Sequence, residues 1–381
     1  MAKEIIRRFG TTAEHSAFTG AANEITVDSD KNTVVVHDGS TVGGFPLAKE
    51  SAVGTAAALD ASSVTHAVFT KTDADTVSWT KTGNGTAETA QVIYVGVGDD
   101  IVEIASGTSI SMPTLSAGTD YAIWCAPDGS LEADTSFTSA PTSGARLIGG
   151  FHYAPGGNAS GQSGGDSTAQ INEYSFWDLR YRPACEDPRG MTLVAGGFWA
   201  DIYLTGVDHH VNGTSAYNAT IADGSSAPKV PSEFGGNGST TYGSYTWYEA
   251  AELLASHGKK LPTQQEFMAL AYGTTEETSR GSDPGSTGLD SDFTSKWGVM
   301  QSTGVMRVWG NHHGGEVDNT DSADNTDGRG ESYYQPSAVR FGGNWVNGSR
   351  AGSRYSNWDT APSSSGSDLG SRGVCDHLRL D

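Results

Sequence analysis

Glycine punctuates this sequence more than anything else, and its distribution limits what the chain can fold into. There are 50 glycines in 381 residues, about twice the usual share of roughly 7%. They follow no three-residue period, which excludes a collagen-like triple helix. They fall between short segments in which Val, Ile, Tyr and Trp alternate with polar residues. A chain cut at such intervals builds from short strands and turns rather than from long helices. The 9 Trp and 14 Tyr supply large apolar surfaces for a core. The length sets a prior of two or three domains.

Charge removes further classes. Forty-five Asp and Glu against 23 Lys and Arg leave a net charge of −22. Phosphate backbones repel such a surface, so no nucleic-acid partner is expected. No apolar run approaches the roughly 18–20 residues of a transmembrane helix, so no membrane insertion is expected. The start, Met1 to Arg8, lacks the apolar core of a secretory signal peptide. Cys125, Cys185 and Cys375 are widely spaced and form no metal-binding pattern. They are expected to be buried, inert thiols, with one disulfide plus one free thiol left open.

Along the chain, Ile25 and Val27 alternate with polar neighbours, residues 29–32 supply a turn, and Val34–Val36 return, which predicts a hairpin. So small a unit buries little by itself and is expected to pack on the rest of the chain or on copies of itself. Strands are expected over 64–69, 90–97, 100–104 and 121–124, at a spacing that suits a sandwich. Residues 156–165 read as a linker or long loop. Aromatic strands are expected over 174–178 and 198–204. Two helices follow, each opened by a capping box, Thr246 with Glu249 and Thr263 with Glu266, and stopped by Gly258 and Gly273. The expected architecture is therefore mainly β with a C-terminal α+β domain.

Three elements resemble the C-type-lectin fold of the formylglycine-generating-enzyme type. They are Gly258-Lys259-Lys260-Leu261-Pro262-Thr263-Gln264-Gln265-Glu266-Phe267, Gly304-Val305-Met306-Arg307-Val308-Trp309-Gly310-Asn311 and Arg340-Phe341-Gly342-Gly343-Asn344-Trp345. A wider match covers most of the chain, including residues 11–22, 26–39, 43–47, 149–155, 187–196 and 372–378. It resembles the tropism-determinant family of phage tail-fibre proteins. Residues 50–145 match it more weakly, and the 274–296 loop is shorter than in that family.

The resemblance implies a virion protein at a phage tail-fibre tip that binds a bacterial surface receptor, protein or glycan, and sets host tropism. It implies an N-terminal β-prism unit over 1–48 for trimerisation and tail attachment. A β-sandwich over 49–170 and a C-type-lectin-like receptor-binding domain over 171–381 would follow. It implies a homotrimer joined to other tail-fibre proteins, and a segment over about 341–372 diversified by a retroelement. Carried over residue by residue, the receptor-binding positions are Asn344, Val346, Asn347, Gly348, Arg350, Asn357, Asp359, Thr360, Ser364, Gly366, Asp368 and Leu369. None is Lys, Glu, Gln, Met or Trp, the residues beyond reach of an AAC codon randomised at its first two bases. Trp345, Ser349, Gly352, Ser353, Arg354, Gly370 and Arg372 match scaffold positions, and buried Trp345 and Trp358 would hold the loops.

Other groupings point to less. The acidic run Asp318–Gly328 has oxygen ligands for Ca²⁺ or Mg²⁺ but no EF-hand spacing, so it reads as a solvated loop. Asp208-His209-His210 and Asn311-His312-His313 read as surface histidines, so no metal and no required cofactor are expected. Formylglycine-generating enzymes use reactive cysteines or an iron-binding histidine set. Here Cys375 is the only cysteine of the C-terminal half, so no catalytic residue and no enzyme activity are expected. Two other readings stay open: a retroelement-diversified bacterial or prophage surface protein, and an oxidising enzyme of the formylglycine-generating type.

Overall fold

The N-terminal hairpin forms as the alternation requires. Ile25–Asp28 (β2) pairs antiparallel with Thr33–Val36 (β3), Arg8–Gly10 (β1) lies parallel to β2, and Phe45–Pro46 (β4) edges β3. The structure is a computed structural model that describes residues 8–47, 67–79, 92–98, 100–105, 107–156, 159–317 and 336–378. It is mainly β with few helices, and it divides into two compact units, Met1–Ser63 and Val64–Asp381. Among the described residues no helix is long and apolar enough to cross a membrane.

The interior of the first unit is polar. Thr26 Oγ1 joins His15 Nε2 at 2.8 Å and His37 Nε2 at 2.9 Å, and the two imidazoles stack. A short helix, Thr12–His15 (α1), opens on a capping box of Thr11 and Glu14 that the sequence reading passed over. Phe9, Ile25, Val42, Phe45 and Leu47 remain exposed on this unit.

The second unit begins with a large sheet of Phe69–Asp73 (β5), Thr76–Trp79 (β6), Thr108–Ser111 (β9), Thr119–Cys125 (β10), Leu131–Asp134 (β11), Arg146–Pro155 (β12), Ala169–Ile171 (β13) and Trp177–Asp178 (β14). Val92–Val97 (β7) and Asp100–Ala105 (β8) form a separate hairpin. The spatial order runs β13-β12-β10-β11-β9-β6-β5, with β14 also on β12. The two ends of this order come together: Ile171 N–H donates to the Ala74 carbonyl at 2.7 Å, and Val68 N–H donates to Asp178 at 2.9 Å. The sheet therefore curls on itself around Phe69, Tyr121, Phe151 and Trp177.

The strand expected over 64–69 instead begins at Phe69, and residues 64–66, like 90–91 of the next expected strand, lie outside the described residues. The sequence reading lacks β6, β9, β11, β13 and, longest of them, β12, where Gly149-Gly150 interrupts the alternation. A Cβ on Gly149 would lie 2.4 Å from the Phe69 ring and 2.3 Å from the Trp177 carbonyl oxygen, so close packing excludes any side chain there. Residues 162–165 dock rather than hang free. Gly164 N–H donates to the Gly273 carbonyl, Gly165 N–H to Ser291, and Gly273 N–H to Gln162.

The C-terminal part carries two further sheets. Met191–Val194 (β15), Phe198–Asp201 (β16) and Val374–Asp376 (β21) form one. Arg307–Val317 (β17), Pro336–Phe341 (β18), Ser356–Thr360 (β19) and Leu369–Gly370 (β20) form the other, in the order β19-β18-β17-β20. Both helices form with both capping boxes: Trp247–Ala255 (α2) behind Thr246 and Gln264–Leu270 (α3) behind Thr263. Each ends a few residues before its expected glycine stop. Residues 174–178 give a 3-10 turn and the two-residue β14 rather than one strand, and the strand at 198 stops at Asp201. The core between these layers contains Phe267, Leu270, Val308, Val339 and Phe341.

Candidate functional site

The segment after β18 leaves the sheet through two glycines. Gly342 and Gly343 have φ of +83° and +78°, a conformation that favours glycine. A Cβ on Gly342 would lie 3.0 Å from the Phe267 ring, so the chain turns tightly over the core there. The following loop is held from below by residues 276–281. Ser279 Oγ donates to the Trp345 carbonyl and accepts from Gly348 N–H at 2.9 Å. Glu276 accepts from the Ser353 N–H and hydroxyl, and Gly281 N–H donates to the Trp345 carbonyl. Trp345, in the loop after β18, and Trp358, in the middle of β19, are half-buried against the core instead of fully buried.

The positions singled out for receptor contact fall into three groups. Val346, Gly348, Arg350 and Asp359 are exposed, Val346 by 69%. Asn347, Asn357, Ser364, Gly366 and Asp368 are partly exposed. Asn344, Thr360 and Leu369 are buried. Leu369 is 2% exposed, pairs with Arg307 in β20 and packs with Trp309 and Ala338. In this chain those three side chains shape the face from within and do not reach solvent.

Two arginines of the sheet hold the segment. Arg307 on β17 ion-pairs with Asp368, which also accepts from Asn344 Nδ2 at 2.5 Å. Arg340 on β18 donates to Asn357 at 3.0 Å and to Asp359 at 2.9 Å. Arg340 lies opposite Trp309 in the ladder, two residues from Arg307, so both guanidinium groups project from one face of the sheet. Burial first, and then the Arg307 charge, pull the Arg340 guanidinium below its usual value. Asp359 stays below the ordinary carboxylate range although burial opposes this. Hydrogen bonds from Asn357 and Thr360, followed by Arg340, favour its charged form. Arg307 and Arg340 both lie in the quoted sequence motifs, but their pairing needs strand register to be seen.

The far end of the segment is fixed by Arg372, which is fully buried. Its guanidinium donates to the carbonyls of Asp201, Ile202 and Met300. Burial pulls it down to about 10, with Asp201 opposing. Asp201 also accepts from Lys259 Nζ at 2.5 Å, inside the first lectin-type motif.

His209 is buried rather than on the surface, beside His257. The acidic run 318–328 lies outside the described residues. Among the described residues no group of three or more His, Cys, Asp or Glu is arranged to hold a metal ion.

Comparison with known proteins bears on the whole chain. Residues 5–41 match the family model of the major tropism determinant N-terminal domain, and residues 68–178 match that of the Mtd second domain. A tail fiber receptor-binding protein of Bordetella phage BPP-1 is 53% identical over 387 residues, covering 98% of each chain. Two solved structures, the P3c and M1 variants of a major tropism determinant, are 52% and 51% identical. Each covers 99% of this chain and 100% of its own, with TM-scores of 0.79 and 0.80. With identity sustained over nearly its full length, the chain belongs to the major tropism determinants, phage tail-fibre receptor-binding proteins that are not an enzyme family.

Proposed function

We propose that the surface built by residues 341–372 is the face through which this tail-fibre protein contacts a protein or glycan on the bacterial surface. The carrying observation is the division of labour within the segment. Val346, Gly348, Arg350 and Asp359 are exposed, while Gly342, Gly343, Arg307, Arg340 and Arg372 hold the backbone from beneath. Side chains on such a face can change without disturbing the core, which is the requirement for altering a receptor while keeping a fold. Related structures of several variants of a major tropism determinant are in keeping with this reading.

The binding positions are then the exposed and partly exposed ones, with Asn344, Thr360 and Leu369 acting through the shape of the face. The modules are a β-prism unit over 1–48, a β-sandwich over 49–170 and a C-type-lectin-like domain over 171–381. Three copies would associate and join other tail-fibre proteins on the virion, and a retroelement would diversify the face. A face of small polar groups binds modestly per site, and several sites acting together raise avidity by roughly 10²–10⁴.

The test is adsorption of purified protein to host cells. Val346→Asp, which charges the exposed apolar side chain of the face, is expected to lower adsorption at least about tenfold. Its thermal midpoint should stay within about 1 °C, since surface changes cost little. Unchanged adsorption for Val346→Asp, Arg350→Ala and Asp359→Ala alike would sink the assignment of the face.

A further inference from the structure

Two of the three cysteines meet in the C-terminal part, although they are far apart in sequence. Pro183 and His377 are bridged in antiparallel sense. The backbone bonds of that bridge, Ala184 N–H to Asp376 and Leu378 N–H to Arg182, mark it as a non-hydrogen-bonded pair. Continued two residues inward, that register would set Cys185 opposite Cys375 at the next such position. Cross-strand Cα atoms in pairs of this kind stand about 4.5 Å apart, within the range a disulfide spans. The sulfur contacts agree. Cys185 Sγ is 3.4 Å and Cys375 Sγ 4.0 Å from the same Met191 Sδ, and each thiol lies near enough to perturb the other. Cys125 lies apart, in β10, with its thiol directed at the Ala126 carbonyl.

We propose that Cys185 and Cys375 form a cross-strand disulfide when the protein meets a mild oxidant, leaving Cys125 free. The neighbouring Cys375 thiol, outweighing burial, and then the nearby Lys259 charge favour the thiolate at Cys185; the Cys375 thiol is correspondingly pushed up. Cys185 is therefore the attacking sulfur.

Hydrogen peroxide is the chemical class of oxidant that suits a buried pair, being small. The Cys185 thiolate attacks one peroxide oxygen, the O–O bond breaks, and a sulfenic acid and hydroxide result. Cys375 then gives up its proton and attacks Cys185 Sγ. The S–S bond forms and hydroxide leaves, taking that proton as water. Two thiols and one peroxide become one disulfide and two waters; the sulfur pair loses two electrons and the peroxide gains them.

The consequence is mechanical. The cross-link would tie β21, just beyond Arg372, to the chain entering this part of the fold, closing a loop of nearly the whole C-terminal half. The segment 341–372 would then be clamped at its far end, whether or not it binds a receptor.

The experiment uses the full chain. After a few-fold excess of hydrogen peroxide and catalase quenching, the protein is denatured, alkylated and digested without reduction. Mass spectrometry should show a peptide joining Cys185 to Cys375, lighter by two hydrogens than its parts, with Cys125 alkylated. The Cys125→Ser variant should behave identically, and Cys375→Ser should stop at a Cys185 sulfenic acid that dimedone traps. Both cysteines alkylated, each carried separately to sulfinic acid, or a bond to Cys125 would overturn the pairing. The oxidised protein should melt higher by roughly 5–10 °C. An unchanged melting temperature would overturn the stapling role.

Discussion

At the residue scale, buried polar side chains decide more than exposed ones. His209 is fully enclosed, and neither ring nitrogen has a hydrogen-bond partner among the described residues. Burial first, then the charges of Lys259, His257 and His210, holds its pKa well below the ordinary histidine value. The unfolded chain therefore takes up this proton first as pH falls. The stability from a neutral His209 is present above the unfolded value of about 6.5 and is lost as pH drops below it. Each such group adds about 1.4 kcal/mol per pH unit to the slope in that window. Urea unfolding at pH 7 and pH 5 should show the native protein weaker in acid, and His209→Leu should flatten much of the difference. An equal slope in the variant would remove His209 as a cause. The sequence shows the His209-His210 pair but not its surroundings, so both residues read there as surface groups.

At the element scale, local chemistry and register contribute differently. Both capping boxes were legible because the chemistry is local: a hydroxyl, an acid three residues on, and an apolar stripe after them. The hairpin at 25–36 was legible for the same reason. β12 was not, since Gly149 and Gly150 are required by Phe69 and Trp177, residues distant in sequence. The two-residue β20 was equally hidden. It is joined to β17 by backbone pairing and by the Arg307–Asp368 ion pair, in which both side chains are mostly buried. Arg307→Ala is expected to cost about 1–3 kcal/mol, because Asp368 loses a charged partner in a partly dry setting. A double-mutant cycle with Asp368→Ala should give a coupling of about 0.5–3 kcal/mol. Additive losses would mean that backbone pairing alone holds β20.

At the scale of the whole molecule, the first unit has apolar side chains with nothing described above them. Phe9, Ile25 and Phe45 are exposed by 81%, 51% and 54%, while its interior is the polar His15–Thr26–His37 network. Exposed apolar groups on so small a unit favour association with its own copies. Light scattering of the native protein should give three times the chain mass of 39.7 kDa, and Ile25→Asp with Phe45→Asp should return the mass of one chain. A native monomer would refute the trimer. The sequence by itself determined the strand-rich character, the helix starts and the family, because these rest on composition, short-range chemistry and motifs read in order. Tertiary structure alone decided which of the proposed receptor-contact positions reach solvent, which arginines anchor their segment, and that Cys185 lies beside Cys375. Those facts depend on strand register and on contacts between residues 17 to 171 positions apart or more, and one chain's local pattern carries no record of either.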